Sequence, residues 1–207
     1  MGKVTKAALI GAGLLGAWTA WGLYTNRSAD TVPYTVLEDL DGIEIREYPE
    51  AVLAETNARS ELIAFRRLFD YIAGANERRE SVSMTAPVRT AGGQSLSMTA
   101  PVKTAETDDK TVMGFYLPSD YDLDSAPKPT DGAVELRSMP SQTLAVVQFS
   151  WYATENRVMR YERRLLRKLQ ANGIKTAGAP FLLRYNDPWT PPFMRRNEVA
   201  VEIESEP

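Results

Sequence analysis

A twelve-residue pattern occurs twice in the 207-residue chain, and its two copies decide the fold. Residues 43–54 read Ile-Glu-Ile-Arg-Glu-Tyr-Pro-Glu-Ala-Val-Leu-Ala, and residues 134–145 read Val-Glu-Leu-Arg-Ser-Met-Pro-Ser-Gln-Thr-Leu-Ala. Glutamate, arginine, proline, leucine and alanine coincide in the two copies. In each copy, apolar and polar residues alternate before the proline, which is typical of a half-buried strand followed by a turn and a second strand.

An amphipathic helix is predicted after each copy. Ser60 can cap a helix that Gly74 ends, and Thr154 can begin a second helix that Gly173 ends. The apolar residues of each helix recur at intervals of three and four, so they form one stripe that a sheet can cover. These residues are Leu62, Phe65, Leu68, Phe69 and Ile72 in the first helix, and Val158, Tyr161, Leu165 and Leu169 in the second.

Two further strands are predicted after each helix, which completes two similar ββαββ halves. The first half ends with a β-prone run at residues 83–88 and a strand at 111–117, and the second half ends with strands at 181–185 and 198–204. Neither helix can bury its stripe alone. The sequence therefore predicts an α+β domain, with a distorted antiparallel sheet curled into an open barrel and both helices packed on it.

A shorter duplication lies inside the first half. Ser-Met-Thr-Ala-Pro-Val occupies residues 83–88 and again residues 97–102, and a Gly-Gly pair between the copies is typical of a hairpin. Because proline cannot donate to a ladder, we expect Pro87 and Pro101 at strand ends, bulges or an edge. The duplication predicts a lengthened hairpin and carries no functional prediction.

Two absences restrict the chemistry of the protein. The chain has no cysteine and no histidine, so thiolate chemistry, disulfides, Ser-His-Asp catalysis, His-ligated zinc and a proximal-His haem are excluded. The net charge of -3 gives no electrostatic reason to expect nucleic acid as a partner. No serine stands in a recognisable nucleophile context. We therefore expect a binding protein rather than an enzyme.

Residues 1–30 differ from the rest of the chain. Lys3 and Lys6 precede an uncharged run at residues 7–24, which would span about 27 Å as a helix. Basic residues before such a run favour a cytoplasmic N-terminus. The run has no clear cleavage site, so it predicts a signal anchor, with a cleaved signal peptide as the alternative. We expect an anchor helix and linker at residues 1–30, and one extracytoplasmic domain at residues 31–207.

Several motifs, in this order and spacing, resemble the SOUL/haem-binding protein family. They are Val-Leu-Glu at 36–38 leading into residues 43–48, residues 65–76 running into Met-Thr-x-Pro-Val at 84–88, and Asp-Pro at 187–188 followed by Pro-Phe-Met-Arg-Arg-Asn-Glu-Val at 192–199. The similarity extends over about residues 34–203. The resemblance implies a two-repeat distorted β-barrel with two helices, and the binding of haem or a related tetrapyrrole.

In this family the tetrapyrrole is associated with an apolar face around the first helix and its neighbouring loops. On the matching positions of this sequence, the resemblance implies contacts from Phe65, Leu68, Phe69 and Ile72, with Met84 in the matching methionine position. Some members of the family have been assigned an axial histidine, which this chain lacks. We therefore expect a pocket without a strong protein ligand, which holds the ring by burial and leaves the iron accessible.

Other residues can supply what a tetrapyrrole needs beyond apolar walls. The propionates require one or two cations at the rim, and Arg66 and Arg195 are candidates, with a solvated surface as the alternative for each. Methionine can ligate haem iron. Met84 and Met98 are the candidate ligands, and for each the alternative is packing in the core.

The sequence thus predicts a membrane-anchored, non-catalytic tetrapyrrole-binding protein, used for haem buffering, sequestration or delivery. A module that binds another flat hydrophobic molecule or a protein partner through the same surface is the alternative. A haem-dependent enzyme is the least favoured interpretation, because no conventional peroxidase site can form without histidine. The basic residues of the second helix predict a solvated face or a surface for anionic lipid.

Overall fold

A computed structural model describes residues 31–83, 85–92, 111–186 and 190–204 of the protein. Within these ranges the chain forms nine β-strands, two α-helices and one short 3-10 helix at Pro192–Met194. The strands are β1 (Thr35–Asp39), β2 (Glu44–Tyr48), β3 (Ala51–Ala58), β4 (Thr85–Gly92), β5 (Thr111–Tyr116), β6 (Val134–Met139), β7 (Gln142–Phe149), β8 (Phe181–Arg184) and β9 (Asn197–Glu202). The helices are α1 (Glu61–Ile72) and α2 (Glu155–Ala171).

All nine strands belong to one sheet, in the order β1-β2-β7-β9-β8-β4-β5-β3-β6. Every neighbouring pair is antiparallel. The sheet curls into a half-barrel. Three strand pairs, β4–β8, β2–β7 and β3–β6, join the first half of the chain (β2 to β5 with α1) to the second (β6 to β9 with α2). The predicted α+β class and the curled antiparallel sheet are confirmed.

The two faces of the sheet bury different cores, because successive strand residues point to opposite sides. On the helix face, one cluster packs under α1 around Leu68 and Phe115, and another packs under α2 around Leu165 and Val199. The opposite face, which we call the inner face, has a third cluster drawn from both halves of the chain. It includes Val32, Tyr48, Leu53, Tyr116, Leu144, Phe181 and Leu183.

The helix boundaries follow the predicted signals. The Ser60 hydroxyl accepts a hydrogen bond from the Ile63 backbone N–H (3.4 Å), as expected of an N-cap. Gly74 has a φ of +116° just beyond α1, a conformation that favours glycine. Thr154 precedes α2, although its side chain makes no capping hydrogen bond. Gly173, with a φ of +72°, follows that helix.

Residues 85–88 of the first copy form the start of β4. Pro87 lies where the register between β4 and β5 shifts, between Thr85 and Val88. This position agrees with the prediction that proline sits at an irregularity of the ladder. The second copy, residues 97–102 with Pro101, lies outside the described residues.

The predicted anchor at residues 7–24 also lies outside the described residues. Within the described ranges, none of the helices has the length and apolar character needed to cross a membrane. The division of the chain into residues 1–30 and 31–207 stays a prediction.

Tyr71 in α1 makes the stability of this fold sensitive to alkaline pH. Its hydroxyl donates to the Pro127 carbonyl (2.9 Å), and burial raises the pKa of Tyr71 to about 12 from 10.0. The unfolded chain therefore ionises this group first. Its contribution to stability is complete below pH 10 and is lost as the pH rises towards 12, by about 2–3 kcal/mol in all.

We expect Tyr71→Phe to flatten the fall in the free energy of unfolding between about pH 10 and pH 12. Urea denaturation at a series of pH values measures this slope. Tyr152→Phe, at an exposed tyrosine, controls for the loss of a hydroxyl. An unchanged slope in Tyr71→Phe would show that another group causes the alkaline loss.

Candidate functional site

One side of α1 leaves apolar side chains uncovered. Leu62 is 76% exposed and Phe69 is 49% exposed, while Phe65 between them is half-buried. These three residues and Arg66 lie at helical intervals of three and four, so they share one side of the helix. We call them the α1 face.

Two stacked aromatic rings form the centre of the α1 face. The Phe65 and Phe69 rings are 6.0 Å apart between centroids and within 18° of parallel. Phe65 also meets the buried Phe115 ring edge-on, at 5.5 Å. Phe65 therefore anchors the pair to the core, and Phe69 presents an aromatic surface to the outside.

Leu68 and Ile72 lie beneath the α1 face, not on it. Both are buried in the core cluster under α1, together with Tyr71 and Phe115. The rotation of about 100° per residue turns these two towards the sheet and turns Leu62 and Phe69 away from it. The predicted single stripe is thus divided into a buried part and an exposed part, and the buried part offers no free surface for a ligand.

Two arginines lie at or beside the α1 face. Arg66 is exposed, and no carboxylate among the described residues pairs with it. Arg184 of β8 donates through Nη2 to Glu61 Oε1 (3.0 Å) at the start of α1. Sequence reasoning missed Arg184, because it follows α1 by more than a hundred residues and approaches it only through the β4–β8 pairing. Arg184 adds a second positive charge near the face.

Arg195 is held by contacts in the second half of the chain. Its guanidinium carbon lies 4.6 Å from the centroid of the Tyr152 ring, and its Nε donates to the Thr190 carbonyl (3.0 Å). Tyr152 follows β7, and Thr190 lies in the connection from β8 to β9. These contacts do not join Arg195 to α1, and its predicted role at the rim stays a prediction.

The predicted iron ligands Met84 and Met98 both lie outside the described residues. Met84 directly precedes β4, whose Val88 packs with Phe65 against the same core cluster. Among the residues that the structure describes, no three acidic side chains are grouped so that they could hold a metal ion. Ligation by Met84 or Met98 stays a prediction.

The inner face contains a buried charge cluster that the sequence did not predict. Glu198 in β9 is 0% exposed, and its two oxygens accept from two guanidinium groups. Arg46 Nη1 donates to Oε2 (2.9 Å), and Arg196 Nη2 donates to Oε1 (2.7 Å). Arg46 also pairs with Glu44 (2.7 Å). We call these four residues the Glu198 cluster.

Three tyrosine hydroxyls complete the Glu198 cluster. Tyr185 donates to Glu198 (2.7 Å), while Tyr48 and Tyr34 accept from Arg46 (3.2 Å) and Arg196 (3.1 Å). Burial raises the pKa of Tyr185 and of Tyr48.

Burial opposes the charge of Arg46 and Arg196, but the hydrogen bonds and charge of Glu198 raise the pKa of both. The pKa values of the two arginines and of Tyr48 and Tyr185 are therefore all shifted away from neutral pH. They do not equip the cluster for acid–base catalysis near pH 7.

The fold and the α1 face together define a half-barrel protein with an open apolar surface on its first helix. Residues 29–202 match the family model described as SOUL heme-binding protein. The chain belongs to this family, which confirms the predicted resemblance. The comparison with curated proteins finds no match.

Solved structures with a similar fold share little sequence with this chain. The C-terminal domain of EcmrR has a TM-score of 0.56 at 14% identity, covering 84% of this chain and 99% of that one. EcmrR in a complex with DNA has a TM-score of 0.57 at 13% identity, covering 99% of this chain and 69% of that one. A hydrolase from Listeria innocua has a TM-score of 0.53 at 9% identity, covering 78% of this chain and 91% of that one. At these identities the similarity shows the fold alone.

Proposed function

We propose that the protein binds haem or a related tetrapyrrole on the α1 face, without catalysing a reaction. The observation that carries this proposal is the stacked Phe65–Phe69 pair, exposed on the first helix of a SOUL-family chain. Burial of apolar surface supplies about 25 cal/mol per Å². A flat macrocycle laid on these rings and on Leu62 would remove apolar surface from water on both partners.

The charges near the α1 face suit the propionates of such a ring. Arg66 lies on the face itself, and Arg184 lies near it, beside Glu61. Guanidinium groups bind carboxylates through paired N–H donors, which adds orientation as well as affinity. Arg66 is the better candidate, because Arg184 is already paired with a carboxylate.

The iron would have no histidine ligand, since the chain contains none. Methionine is a known haem ligand, and Met84 stands next to the strand that packs with Phe65. We propose that the ring is held mainly by burial, with Met84 as the first candidate ligand and Met98 as the second. Haem buffering, sequestration and delivery are all compatible with this mode of binding.

A binding module for a protein partner or another flat hydrophobic molecule is the second candidate. The observation that favours it is the openness of the α1 face, where Leu62 is 76% exposed. An exposed apolar helix side is a usual surface for a partner. A haem-dependent enzyme is disfavoured, because the chain contains no histidine. In addition, no described residue near the α1 face has a pKa that is shifted towards neutral pH.

We also propose that the two halves of the domain are pseudo-repeats. In support, β3 pairs with β5 and β6, as β7 pairs with β9 and β2. The ion pair of Arg137 with Glu135 (3.2 Å) repeats that of Arg46 with Glu44 (2.7 Å). The membrane anchor at residues 7–24 and the extracytoplasmic location rest on the sequence pattern alone and complete the proposal.

The test of the proposed function is a haem titration followed by the Soret band, in wild type and Arg66→Glu. We expect one saturable site, and an affinity up to about fivefold lower in Arg66→Glu, because an exposed charge pair contributes about 0.2–1 kcal/mol. Arg160→Glu is the matched control, at an exposed arginine of α2. Absence of saturable haem binding in the wild type would leave the partner-binding candidate.

A further inference from the structure

The inner face contains a cavity that the tetrapyrrole proposal does not use. It has a volume of about 350 Å³, near the lower end of the range for small-molecule sites. Residues of β3, β4, β5 and β6 line it, and no described residue of α1 or α2 is among them. The cavity therefore lies on the β4-β5-β3-β6 part of the sheet, on the side away from the α1 face.

A row of four residues crosses the floor of the cavity. The strand register aligns Arg89 with Gly114, Gly114 with Glu55, and Glu55 with Glu135. Neighbouring strands are about 4.8 Å apart, so the backbones at Arg89 and Glu55 are about 10 Å apart. Gly114 adds no side chain between them, and a Cβ there would lie 2.9 Å from the Leu53 side chain. The floor between the two charges therefore stays open.

Arg89 is the residue that points to a ligand. It lines the cavity although it is only 8% exposed, and its guanidinium carbon lies 3.9 Å from the centroid of the Phe181 ring. Its charge also counters the burial that raises the pKa of Tyr116. No carboxylate in the part of the chain that the structure describes pairs with it. Among the described residues, Arg89 hydrogen-bonds with the Tyr116 side chain but meets no negative charge. Buried arginines are normally paired with an anion, so Arg89 can still accept one.

The opposite wall limits the charge of that anion. Arg137 pairs there with Glu55 (3.3 Å) and Glu135 (3.2 Å), which leaves one carboxylate in excess. A dianion at Arg89 would be repelled by this wall, whereas a single carboxylate matches the one unpaired guanidinium. Apolar surface from Ala91 and Val112 can receive an aliphatic or aromatic body.

The other part of the sheet, β2-β7-β9-β8, has a buried carboxylate at the corresponding register position. Asn57 and Gln148 are equivalent positions, because each lies fourteen residues after the start of its copy of the repeated pattern. Asn57 pairs with Val112, and Gln148 pairs with Glu198. Val112 thus occupies the register position of the buried Glu198. The β4-β5-β3-β6 part of the sheet has a cavity, whereas the β2-β7-β9-β8 part has the Glu198 cluster.

We propose that this cavity is a second binding site, for a small organic monocarboxylate whose carboxylate pairs with Arg89. The proposal does not depend on the tetrapyrrole site, because the two lie on opposite faces of the sheet.

Benzoate is the probe, and its neutral amide benzamide is the control ligand. Isothermal titration of the full chain is expected to give saturable benzoate binding, with benzamide at least tenfold weaker. Arg89→Gln should lower benzoate affinity at least tenfold, whereas Arg184→Gln, at an ion-paired arginine on the helix face, should leave it unchanged. No saturable benzoate binding, equal binding of benzamide, or unchanged binding in a folded Arg89→Gln would overturn the proposal.

Glu55→Gln keeps the proposal testable if Arg89→Gln does not fold. Removing this charge reduces the repulsion of the anion and leaves Arg137 less neutralised. Benzoate affinity should therefore rise several-fold in Glu55→Gln. Unchanged or weaker binding would place benzoate elsewhere and overturn the proposal.

Discussion

Glu198→Gln is expected to lower the free energy of unfolding by about 3–5 kcal/mol, the usual cost of removing one partner from a buried ion pair. The carboxylate is fully buried and accepts from Arg46, Arg196 and Tyr185. With a neutral amide in its place, Arg46 would remain buried with only the partly exposed Glu44 as a charged partner. Urea denaturation at neutral pH measures the loss.

Glu204→Gln is the matched control for this prediction. Glu204 lies two residues beyond β9, is exposed, and is 3.9 Å from Lys175. An exposed ion pair contributes about 0.2–1 kcal/mol, so the control should lose no more than that. A loss below about 1 kcal/mol in Glu198→Gln as well would mean that water or rearranged side chains satisfy the two guanidinium groups.

The double variant Arg46→Met, Glu198→Leu separates the charge from its packing. If the cost of Glu198→Leu comes mainly from leaving Arg46 buried with Glu44 alone, removing both should cost less than the sum of the single changes. Replacement of a buried ion pair by apolar groups is often nearly neutral. Strict additivity would show that Arg46 and Glu198 act independently.

Phe69→Asp is expected to weaken tetrapyrrole binding by at least about 100-fold, which corresponds to about 2.7 kcal/mol. Phe69 forms the exposed half of the stacked pair on the α1 face. An aspartate would bring an unpaired carboxylate against an apolar ring, where its desolvation has no compensation. Because Phe69 is half-exposed, we expect the free energy of unfolding to change by no more than about 1 kcal/mol.

Leu166→Asp is the control for Phe69→Asp. Leu166 is a partly exposed apolar residue of α2, so the same type of change is made on the other helix. Haem binding should be unaffected in this variant. Equal loss in both variants would indicate nonspecific adsorption, and unchanged affinity in a folded Phe69→Asp would remove α1 from the site.

Local signals were sufficient to predict the main elements of the fold. The repeated twelve-residue pattern predicted β2, β3, β6 and β7, because period-two alternation and an adjacent proline define a strand and its turn without long-range information. Ser60 and Gly74 bracketed α1 because capping and positive φ are requirements of the backbone itself. The order and spacing of the motifs indicated the family.

The charged interior could not be predicted, since alternation gives two faces but does not say which one is solvated. The alternation of β9 places its glutamates opposite the buried valines, yet both faces of this strand are buried and Glu198 lies inside. Its partner Arg46 is 152 positions away in the sequence. The same limitation hid Arg89 and Arg184, whose surroundings depend on the pairing of β4 with β8.

The α1 face was predicted in part. The apolar stripe identified the correct helix, but it was wide enough to contain both core and surface residues. Burial of Leu68 and exposure of Leu62 depend on how α1 sits over β3 and β5, which the periodicity of the helix does not specify. Phe65, Phe69 and Arg66 remain the predicted contacts with the ligand.

The most direct test of the central claim is a fluorescence titration of the wild-type chain with iron-free protoporphyrin, in parallel with haem. We expect one saturable site for both compounds, with affinities within about threefold of each other, because burial on the α1 face supplies most of the binding energy. Phe69→Asp should abolish both. Binding of haem alone would show that an iron ligand such as Met84 holds the ring, and saturable binding of neither compound would contradict the assignment of a tetrapyrrole site.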